Sequence, residues 1–215
     1  MSDEERYIED LISQGEHQQQ DFKFEITDSR KIAISLVAFA NTDGGRLLIG
    51  VKDNGKIAGV RTEEEYYMIE AAANMFSKPE INFESFKRNI GSKTILEIIV
   101  HPSVQKPHYA MDHNKKWLAY HRVDDENLLA TPILLQVWKR EKREKGTFIE
   151  YSDKEEAVLE YLQIEGPSSI ESLSQGVALK KRITSAILVN LVSLNIVQMI
   201  FTEKGEFYSL SEKPE

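Results

Sequence analysis

Cationic side chains cluster at the predicted start of the third helix in the C-terminal part of the chain. Lys180, Lys181 and Arg182 occur there in succession. The apolar residues that follow recur at helical spacing and comprise Ile183, Ile187, Leu191 and Leu194. If this stripe is buried, Lys181, Arg182 and Ser185 lie on the opposite side of the helix. Cations at a helix N-terminus oppose the helix dipole, so they do not serve helix stability, whereas they suit contact with nucleic acid.

The segments around this helix are typical of a winged helix-turn-helix domain. Two Ser-x-x-Glu capping boxes predict the helices before it, at Ser152–Glu155 and Ser168–Glu171. Residues 196–201 and 206–210 predict a β-hairpin after it, with Lys204 in the turn. Three short helices followed by a hairpin is the order of a winged helix-turn-helix, whose third helix enters the major groove of DNA.

The C-terminal domain is therefore predicted to bind nucleic acid through basic and hydroxyl side chains. The predicted contact residues are Lys180, Lys181, Arg182, Ser185 and Lys204. The alternative interpretation is a solvated helix start in a domain that binds protein. We place the winged-helix domain at residues 152–211, the linker at 146–151 and a first domain at 1–145.

The first domain combines strand and helix signals. Residues 20–26 alternate polar and apolar side chains, which predicts a half-buried strand. Asp28 is the predicted N-cap of a helix over residues 29–42. A strand over residues 46–53 follows, and Asn54-Gly55 predicts a hairpin because both turn residues need positive φ.

The rest of this domain continues the same mixture. The further predicted strands are residues 56–60, 82–90, 94–101 and 117–123. The further predicted helices are residues 62–76 and 131–145. The first of them begins with a capping box at Thr62–Glu65. Strands and helices in this order indicate an α+β domain with a mixed sheet.

Several short motifs of the first domain occur together in one known family. They are Glu16 after Gly15, Asp21-Phe22-Lys23, Ala-Phe-Ala-Asn-Thr-Asp-Gly-Gly at 38–45, Lys106-Pro107 and Tyr120-His121-Arg122. With them, residues 11–125 resemble the AlbA-type DNA-binding domain shared with Schlafen proteins. The resemblance implies a mixed-sheet AlbA/Schlafen-like fold and nucleic-acid binding by a bacterial, single-module protein. Because eukaryotic Schlafen cores join two such modules, it also implies a homodimer formed through this domain.

The same resemblance implies an acidic site. Glu16, Asp21 and Asp53 match the three carboxylate positions with which Schlafen endoribonucleases hold a divalent metal. Mg²⁺ and Mn²⁺ suit such oxygen ligands and can polarise a scissile phosphate, and Lys23 would contact that phosphate. Asp21 is shorter than the Glu more often found in the family. Asp53 also precedes Asn-Gly, where Asp is common for turn formation alone.

Composition narrows the function classes. The chain has 215 residues, no cysteine, and a net charge of −8 from 27 basic and 35 acidic residues. Without cysteine there are no disulfides or thiolate metal sites, which fits a cytoplasmic location, and no apolar run reaches the roughly 20 residues that span a bilayer. The acidic balance requires a local basic patch for any nucleic-acid contact. ATP binding is not supported, because Gly44-Gly45 precedes a strand and no phosphate-loop motif is present.

The sequence thus predicts a cytoplasmic transcriptional regulator that binds nucleic acid, DNA rather than RNA, as a homodimer. Two alternatives stay open at this point. One is a metal-dependent endoribonuclease that uses the three carboxylates, and the other is a protein-interaction scaffold. No firm cofactor is predicted, since Mg²⁺ or Mn²⁺ belongs to the endoribonuclease alternative.

Overall fold

A computed structural model describes residues 2–60, 63–141, 151–202 and 204–211 of the chain. The chain divides into two compact units, Met1–Ala130 and Thr131–Glu215. The expected linker at 146–151 lies outside the described residues except for Tyr151. Among the helices formed by the described residues, none is long and apolar enough to cross a membrane.

The first unit contains three helices and nine short strands within its described residues. The helices are α1 (Asp3–Ser13), α2 (Ser29–Asn41) and α3 (Glu64–Asn74). The strands are β1 (Gln20–Lys23), β2 (Gly45–Ile49), β3 (Ser77–Lys78), β4 (Glu84–Ile90), β5 (Lys93–Val100), β6 (Tyr109–Met111), β7 (Trp117–Leu118), β8 (Tyr120–Val123) and β9 (Glu126–Leu129).

The main sheet is mixed. Its strand order is β1-β2-β5-β4, in which β1 and β2 are parallel and the other pairs are antiparallel. One face packs against α2 and α3 through a large apolar cluster that includes Leu36, Phe39 and Leu47. The other face forms a smaller cluster in which Phe22 and Leu48 pack beneath α1. The α+β class and the mixed sheet predicted from the sequence are confirmed.

Strand β1 is shorter than its apolar alternation predicts. It ends at Lys23, so the expected strand to Ile26 is wrong over its last residues. Phe22 lies on the α1 face, Phe24 is exposed, and Ile26 joins the cluster on the α2 face. The chain leaves the sheet after Lys23 in order to reach Asp28, whose side chain caps α2 by accepting from the Arg30 N–H, as predicted.

The predicted hairpin after β2 forms only in part. Gly55 has φ of +77°, but the φ of Asn54 is not positive, so the expectation of positive φ at both turn residues is wrong for Asn54. The returning chain makes a single bridge between Val51 and Ile57 instead of a paired strand. The Gly50 carbonyl accepts from the N–H groups of Ala58 and Gly59, which ends the regular pairing of β2 at Ile49. The expected single strand over residues 117–123 is likewise divided, because β7 pairs with β6 and β8 pairs with β9.

The second unit contains helices followed by a two-stranded antiparallel hairpin. The helices are α4 (Pro132–Glu141), α5 (Asp153–Glu165), α6 (Ile170–Gly176) and α7 (Lys181–Ser193), and the strands are β10 (Val197–Thr202) and β11 (Gly205–Leu210). Ile133 and Val137 of α4 pack into the apolar cluster of this unit. The compact units therefore divide before α4, whereas the sequence predicts a first domain that extends to residue 145.

Of the two capping boxes predicted in the second unit, one is confirmed. The capping box of Ser152 and Glu155 is formed. The next helix is capped by Ser169, which accepts from the Ser172 N–H, so the expected cap at Ser168 is wrong. Ser168 is unavailable because it is bridged to Tyr208 of β11 through backbone hydrogen bonds in both directions.

The apolar stripe of α7 is buried over most of its length. Ile187 and Leu191 are buried and Ile183 packs against the same cluster. Leu194 is 41% exposed, so its predicted place in the stripe is wrong. The helix ends at Ser193, and Leu194 already belongs to the turn that leads into β10.

Candidate functional site

The cationic residues of the second unit lie at the surface. Lys180 is the N-cap residue of α7, and its side chain makes no capping hydrogen bond among the described residues. Lys181 and Arg182 in the first turn are exposed, and Ser185 is half-buried. Lys204 is exposed between β10 and β11. The Lys181 ammonium forms an ion pair with the Glu171 carboxylate of α6, and both side chains are largely exposed.

Two of the three predicted acidic residues meet in the first unit. Glu16 forms a side-chain hydrogen bond with Asp21, and its Oε1 accepts from the Phe22 N–H at 2.8 Å. Lys23 Nζ lies 2.8 Å from Asp21 Oδ1 and also donates to the Phe22 carbonyl. The turn before β1 thus returns Glu16 to the strand that carries Asp21 and Lys23.

Asp21 is a buried, fully engaged carboxylate. It is 3% exposed, and its Oδ2 accepts from Ser35 Oγ of α2 at 3.1 Å. The same Oδ2 lies 3.8 Å from NH1 of the Arg122 guanidinium. Asp21 is therefore not open at the surface to a metal ion, because Ser35 of α2 and Arg122 lie against its carboxylate.

The two adjacent carboxyl groups differ in protonation. Burial raises the pKa of Glu16 to about 7, and the hydrogen bond that its protonated form donates to Asp21 adds to the rise. Burial also opposes ionisation of Asp21, but the hydrogen bond from Glu16 and the charges of Lys23 and Arg122 outweigh it and lower the pKa of Asp21. The pair therefore shares one proton below neutral pH.

Asp53 does not complete this pair into a metal site. It is exposed in the turn beyond the end of β2, whereas Asp21 is level with Leu47 within that strand pair. Across residues 2–60, 63–141, 151–202 and 204–211, no three Asp, Glu, His or Cys side chains form a group that could hold a metal ion. The residues present do not fit the Mg²⁺ or Mn²⁺ implied by the resemblance.

Arg122 is the centre of the polar network around Asp21. The residue is 2% exposed, and its side chain lies over the Phe39 ring, with the guanidinium carbon 5.2 Å from the ring centroid. NH2 donates to the backbone carbonyls of His17 at 3.2 Å and Gln20 at 3.0 Å. NH1 donates to Asn127 Oδ1 at 3.1 Å, and the Asn127 amide donates in turn to Ser35 Oγ at 3.1 Å.

The Asn-Thr pair at the end of α2 holds this arrangement in place. The Asn41 amide donates to the carbonyls of His108 at 2.9 Å and Tyr120 at 2.8 Å, and its Oδ1 accepts from the His108 N–H. Thr42 Oγ1 accepts from the Arg122 N–H at 2.9 Å. The motif residues Asn41, Thr42, Tyr120 and Arg122 therefore connect α2 to β8.

Sequence reasoning identified neither this polar network nor a second, separate buried ion-pair cluster. Arg122 was noted only as part of a motif, without a role, and Ser35 and Asn127 carried no signal. The buried Glu97 was also missed, although a single acidic residue inside the apolar run of β5 could have indicated it. Glu97 accepts from Arg46 Nε at 2.7 Å and from Arg88 Nε at 2.8 Å.

Comparison with known proteins gives a family match. The family model for Schlafen, AlbA_2 matches residues 16–131. No curated protein matches the chain.

Two solved structures resemble the chain. The DIP2311 protein from Corynebacterium diphtheriae matches 74% of this chain and 36% of its own length, with 16% identity and a TM-score of 0.46. The N-terminal domain of a Nitrosomonas europaea protein described as related to the ATP-dependent DNA helicase RecG matches 60% of this chain and 93% of its own, with 21% identity and a TM-score of 0.40. At these TM-scores neither likeness supports a conclusion about this chain.

The buried ion pair can be tested by removing its cation. Arg122→Met keeps most of the apolar volume but leaves Asp21 without one of its charge partners, and the His17 and Gln20 carbonyls each lose the donor that Arg122 adds to their backbone hydrogen bond. Removing one partner of a buried pair costs about 3–5 kcal/mol, and we expect the free energy of unfolding of the first unit to fall by about that amount. Hydrogen exchange of the amides in β2 and β5 measures this loss.

The matched control is Arg6→Met, which removes the same charge from an exposed position on α1. We expect it to change the free energy of unfolding by less than about 0.5 kcal/mol. Equal losses in the two variants would contradict the role assigned to Arg122.

The proton shared by Glu16 and Asp21 predicts that the stability difference between the wild type and Glu16→Gln depends on pH. The folded-state pKa of Glu16 lies above its unfolded value, so the stability contributed by its proton is present at low pH and is lost as pH rises through about 7. Glu16→Gln keeps a hydrogen-bond donor at every pH. We therefore expect the variant to gain stability relative to the wild type as pH rises from about 5 to about 8, measured by urea unfolding.

The titration of His121 changes the free energy of unfolding of both proteins but not the difference between them. Burial lowers the pKa of His121 to about 4, so its stability contribution is lost as pH falls towards about 4, in both proteins alike. Glu25→Gln, an exposed carboxylate just after β1, is the matched control. If the Glu16→Gln difference did not change with pH, Glu16 would not hold the proton.

Proposed function

Because this chain belongs to the Schlafen, AlbA_2 family, we propose that it is a nucleic-acid-binding protein, and specifically a DNA-binding transcriptional regulator. In this proposal the second unit acts as a winged helix-turn-helix, with α7 as the recognition helix and the β10–β11 hairpin as the wing. The observation that carries the proposal is the exposed cationic start of α7, at Lys180, Lys181 and Arg182.

The start of α7 is suited to an anionic partner. The first turn of a helix carries unpaired N–H groups and a partial positive charge, which normally favour an acidic or hydroxyl cap. Here the cap position holds Lys180, and Lys181 and Arg182 add two more cations. Such a terminus gains nothing from its own side chains, whereas a phosphate would satisfy both the N–H groups and the charges.

The ion pair between Lys181 and Glu171 does not stand in the way of this contact. The two side chains are 60% and 59% exposed. Exposed pairs of this kind contribute only about 0–1 kcal/mol, so Lys181 can exchange Glu171 for a phosphate at little cost. The Glu171 carboxylate also repels phosphates that do not contact the cations directly. Together with the net charge of −8, this repulsion favours selective over nonspecific binding.

Removing two of these cations should weaken binding and lower its salt dependence. For Lys181→Ala with Arg182→Ala, we expect the slope of log K against log salt to decrease in magnitude by about one to two, since up to two phosphate contacts are lost. Fluorescence anisotropy with labelled duplex DNA and with RNA of the same sequence, at several salt concentrations, measures this slope.

The control is a double variant with the same change in net charge, Lys139→Ala with Lys154→Ala. Both lysines are exposed in the second unit, on α4 and α5. An equal decrease in slope for both double variants would mean that net charge alone acts, and no change for the α7 variant would remove the contact assignment. No binding to either nucleic acid would favour the protein-interaction scaffold instead.

An endoribonuclease is the second candidate, and the paired Glu16 and Asp21 beside Lys23 are the observation that favours it. Against it, Asp21 is buried and engaged by Ser35, Lys23 and Arg122. We therefore expect no Mn²⁺-dependent cleavage of structured RNA in a gel assay. Cleavage that Asp53→Ala abolishes without loss of binding, while the exposed-residue control Asp10→Ala retains it, would establish the endoribonuclease instead.

We also propose that the chain is a homodimer formed through the first unit. The support is the resemblance to a module that eukaryotic relatives carry in tandem, together with the prevalence of closed two-fold oligomers. Light scattering coupled to gel filtration should give twice the 24.7 kDa mass of one chain. A mass of 24.7 kDa that persists as the protein concentration is raised would rule out the dimer.

A further inference from the structure

A cleft of about 430 Å³ lies in the first unit, away from the carboxyl pair. It is formed where the end of α2 meets two loops, residues 80–84 and 101–105, and it also reaches His108. Ser103 and His108 are both among its lining residues. The nucleic-acid function proposed above uses none of these residues.

Ser103 and His108 are hydrogen-bonded in a defined sense. His108 Nε2 lies 2.7 Å from Ser103 Oγ, and His108 Nδ1 lies 3.0 Å from the Pro79 carbonyl oxygen. A carbonyl oxygen can only accept, so Nδ1 carries a proton. In the neutral ring Nε2 is then the acceptor, and the hydroxyl of Ser103 donates to it.

We propose that Ser103 and His108 form a nucleophile and general-base pair that hydrolyses small carboxylic esters. A serine hydroxyl that donates to an imidazole, whose other nitrogen is held by an acceptor, is the arrangement that activates serine in hydrolases of unrelated folds. Here the Pro79 carbonyl takes the orienting part that a carboxylate has elsewhere. The serine–imidazole distance of 2.7 Å is within the range needed for direct proton transfer.

The pair is held rigidly by the end of α2. The Ser103 N–H donates to the Ala40 carbonyl at 2.8 Å. The backbone of His108 is bonded at both its N–H and its carbonyl to the side chain of Asn41. His108 is 3% exposed, so its ring has little freedom to turn away. A nucleophile and base fixed in this way need little reorganisation before they react.

The first half of the reaction uses these groups in order. Ser103 Oγ forms a bond to the ester carbonyl carbon while its proton passes to His108 Nε2, and the carbonyl π electrons move to the carbonyl oxygen. The Gln105 N–H, which donates to Ser103 Oγ at 3.0 Å, favours the loss of that proton. When the tetrahedral intermediate collapses, the bond to the leaving alcohol breaks and the alcohol takes the proton from His108.

The second half regenerates the serine. A water molecule gives a proton to His108 Nε2 and its oxygen bonds to the acyl carbon. The bond to Ser103 Oγ then breaks, Oγ regains a proton from His108, and a carboxylic acid is released. No further reactant is needed.

The cleft favours a neutral or cationic substrate. Its apolar wall includes Ile81, Phe83 and Val104. Glu80 and Glu84 contribute carboxylates at its rim, and His101 Nε2 lies 2.7 Å from Glu84 Oε1. Phosphate-bearing molecules are disfavoured by these carboxylates, which separates this activity from nucleic-acid binding.

The experiment is covalent labelling of the full chain with a neutral fluorophosphonate, together with hydrolysis of p-nitrophenyl acetate. We expect one phosphonyl adduct, mapped by mass spectrometry to Ser103, and an esterase rate that the adduct abolishes. Ser103→Ala should lose both, whereas Ser92→Ala, which changes an exposed serine between β4 and β5, should retain both. No adduct at Ser103, with hydrolysis no faster than that of Ser103→Ala or of buffer alone, would overturn the proposal.

A second measurement avoids dependence on the folding of Ser103→Ala. The chain has no cysteine, so Ser103→Cys introduces a single thiol. A thiol beside an imidazole loses its proton more readily, so we expect iodoacetamide to alkylate it at pH 6 at least about tenfold faster than the thiol of Ser92→Cys. Adding His108→Gln should remove this advantage. Equal alkylation of the two thiols would overturn the pairing of Ser103 with His108.

Discussion

The first unit depends on a buried arginine. A guanidinium stays charged at any pH at which the protein folds, and taking it out of water costs several kcal/mol unless its donors and its charge are satisfied. Arg122 on β8 meets that requirement with the backbone carbonyls of His17 and Gln20, the Asn127 amide and the Asp21 carboxylate. Segments distant along the chain must therefore come together for the unit to fold.

This requirement also decides the chemistry of the neighbouring carboxyl groups. Asp21 has to be ionised to balance Arg122, so the proton of the pair resides on Glu16. A carboxylate held by a hydroxyl, an ammonium and a guanidinium has little capacity left for a metal ion. In this chain the motif residues Asn41, Thr42, Tyr120 and Arg122 serve the architecture, and the residues proposed to contact nucleic acid belong to the second unit.

The end of α2 serves two structures at once. Asn41 and Thr42 fix β8, and with it Arg122. Through the Ala40 carbonyl and the Asn41 side chain, the same end of the helix also fixes Ser103 and His108 in the cleft. The last carbonyls of a helix have no partners within the helix, so a buried helix end must bond to other segments. Here those segments are the loops that carry Ser103 and His108.

Interactions between near neighbours in the sequence were predictable. The Asp28 cap, the capping box of Ser152 and Glu155, the turn at Gly55 and the buried stripe of α7 each follow from a few adjacent residues, as does the α+β class from the order of the elements. Only the tertiary structure decided that β1 ends at Lys23, that α4 packs in the second unit, and that Asp21 is buried against Arg122 while Asp53 stays exposed. Burial and the choice of a charge partner depend on residues far away in the chain, because a buried charge is stabilised by whichever groups the fold brings within hydrogen-bonding distance.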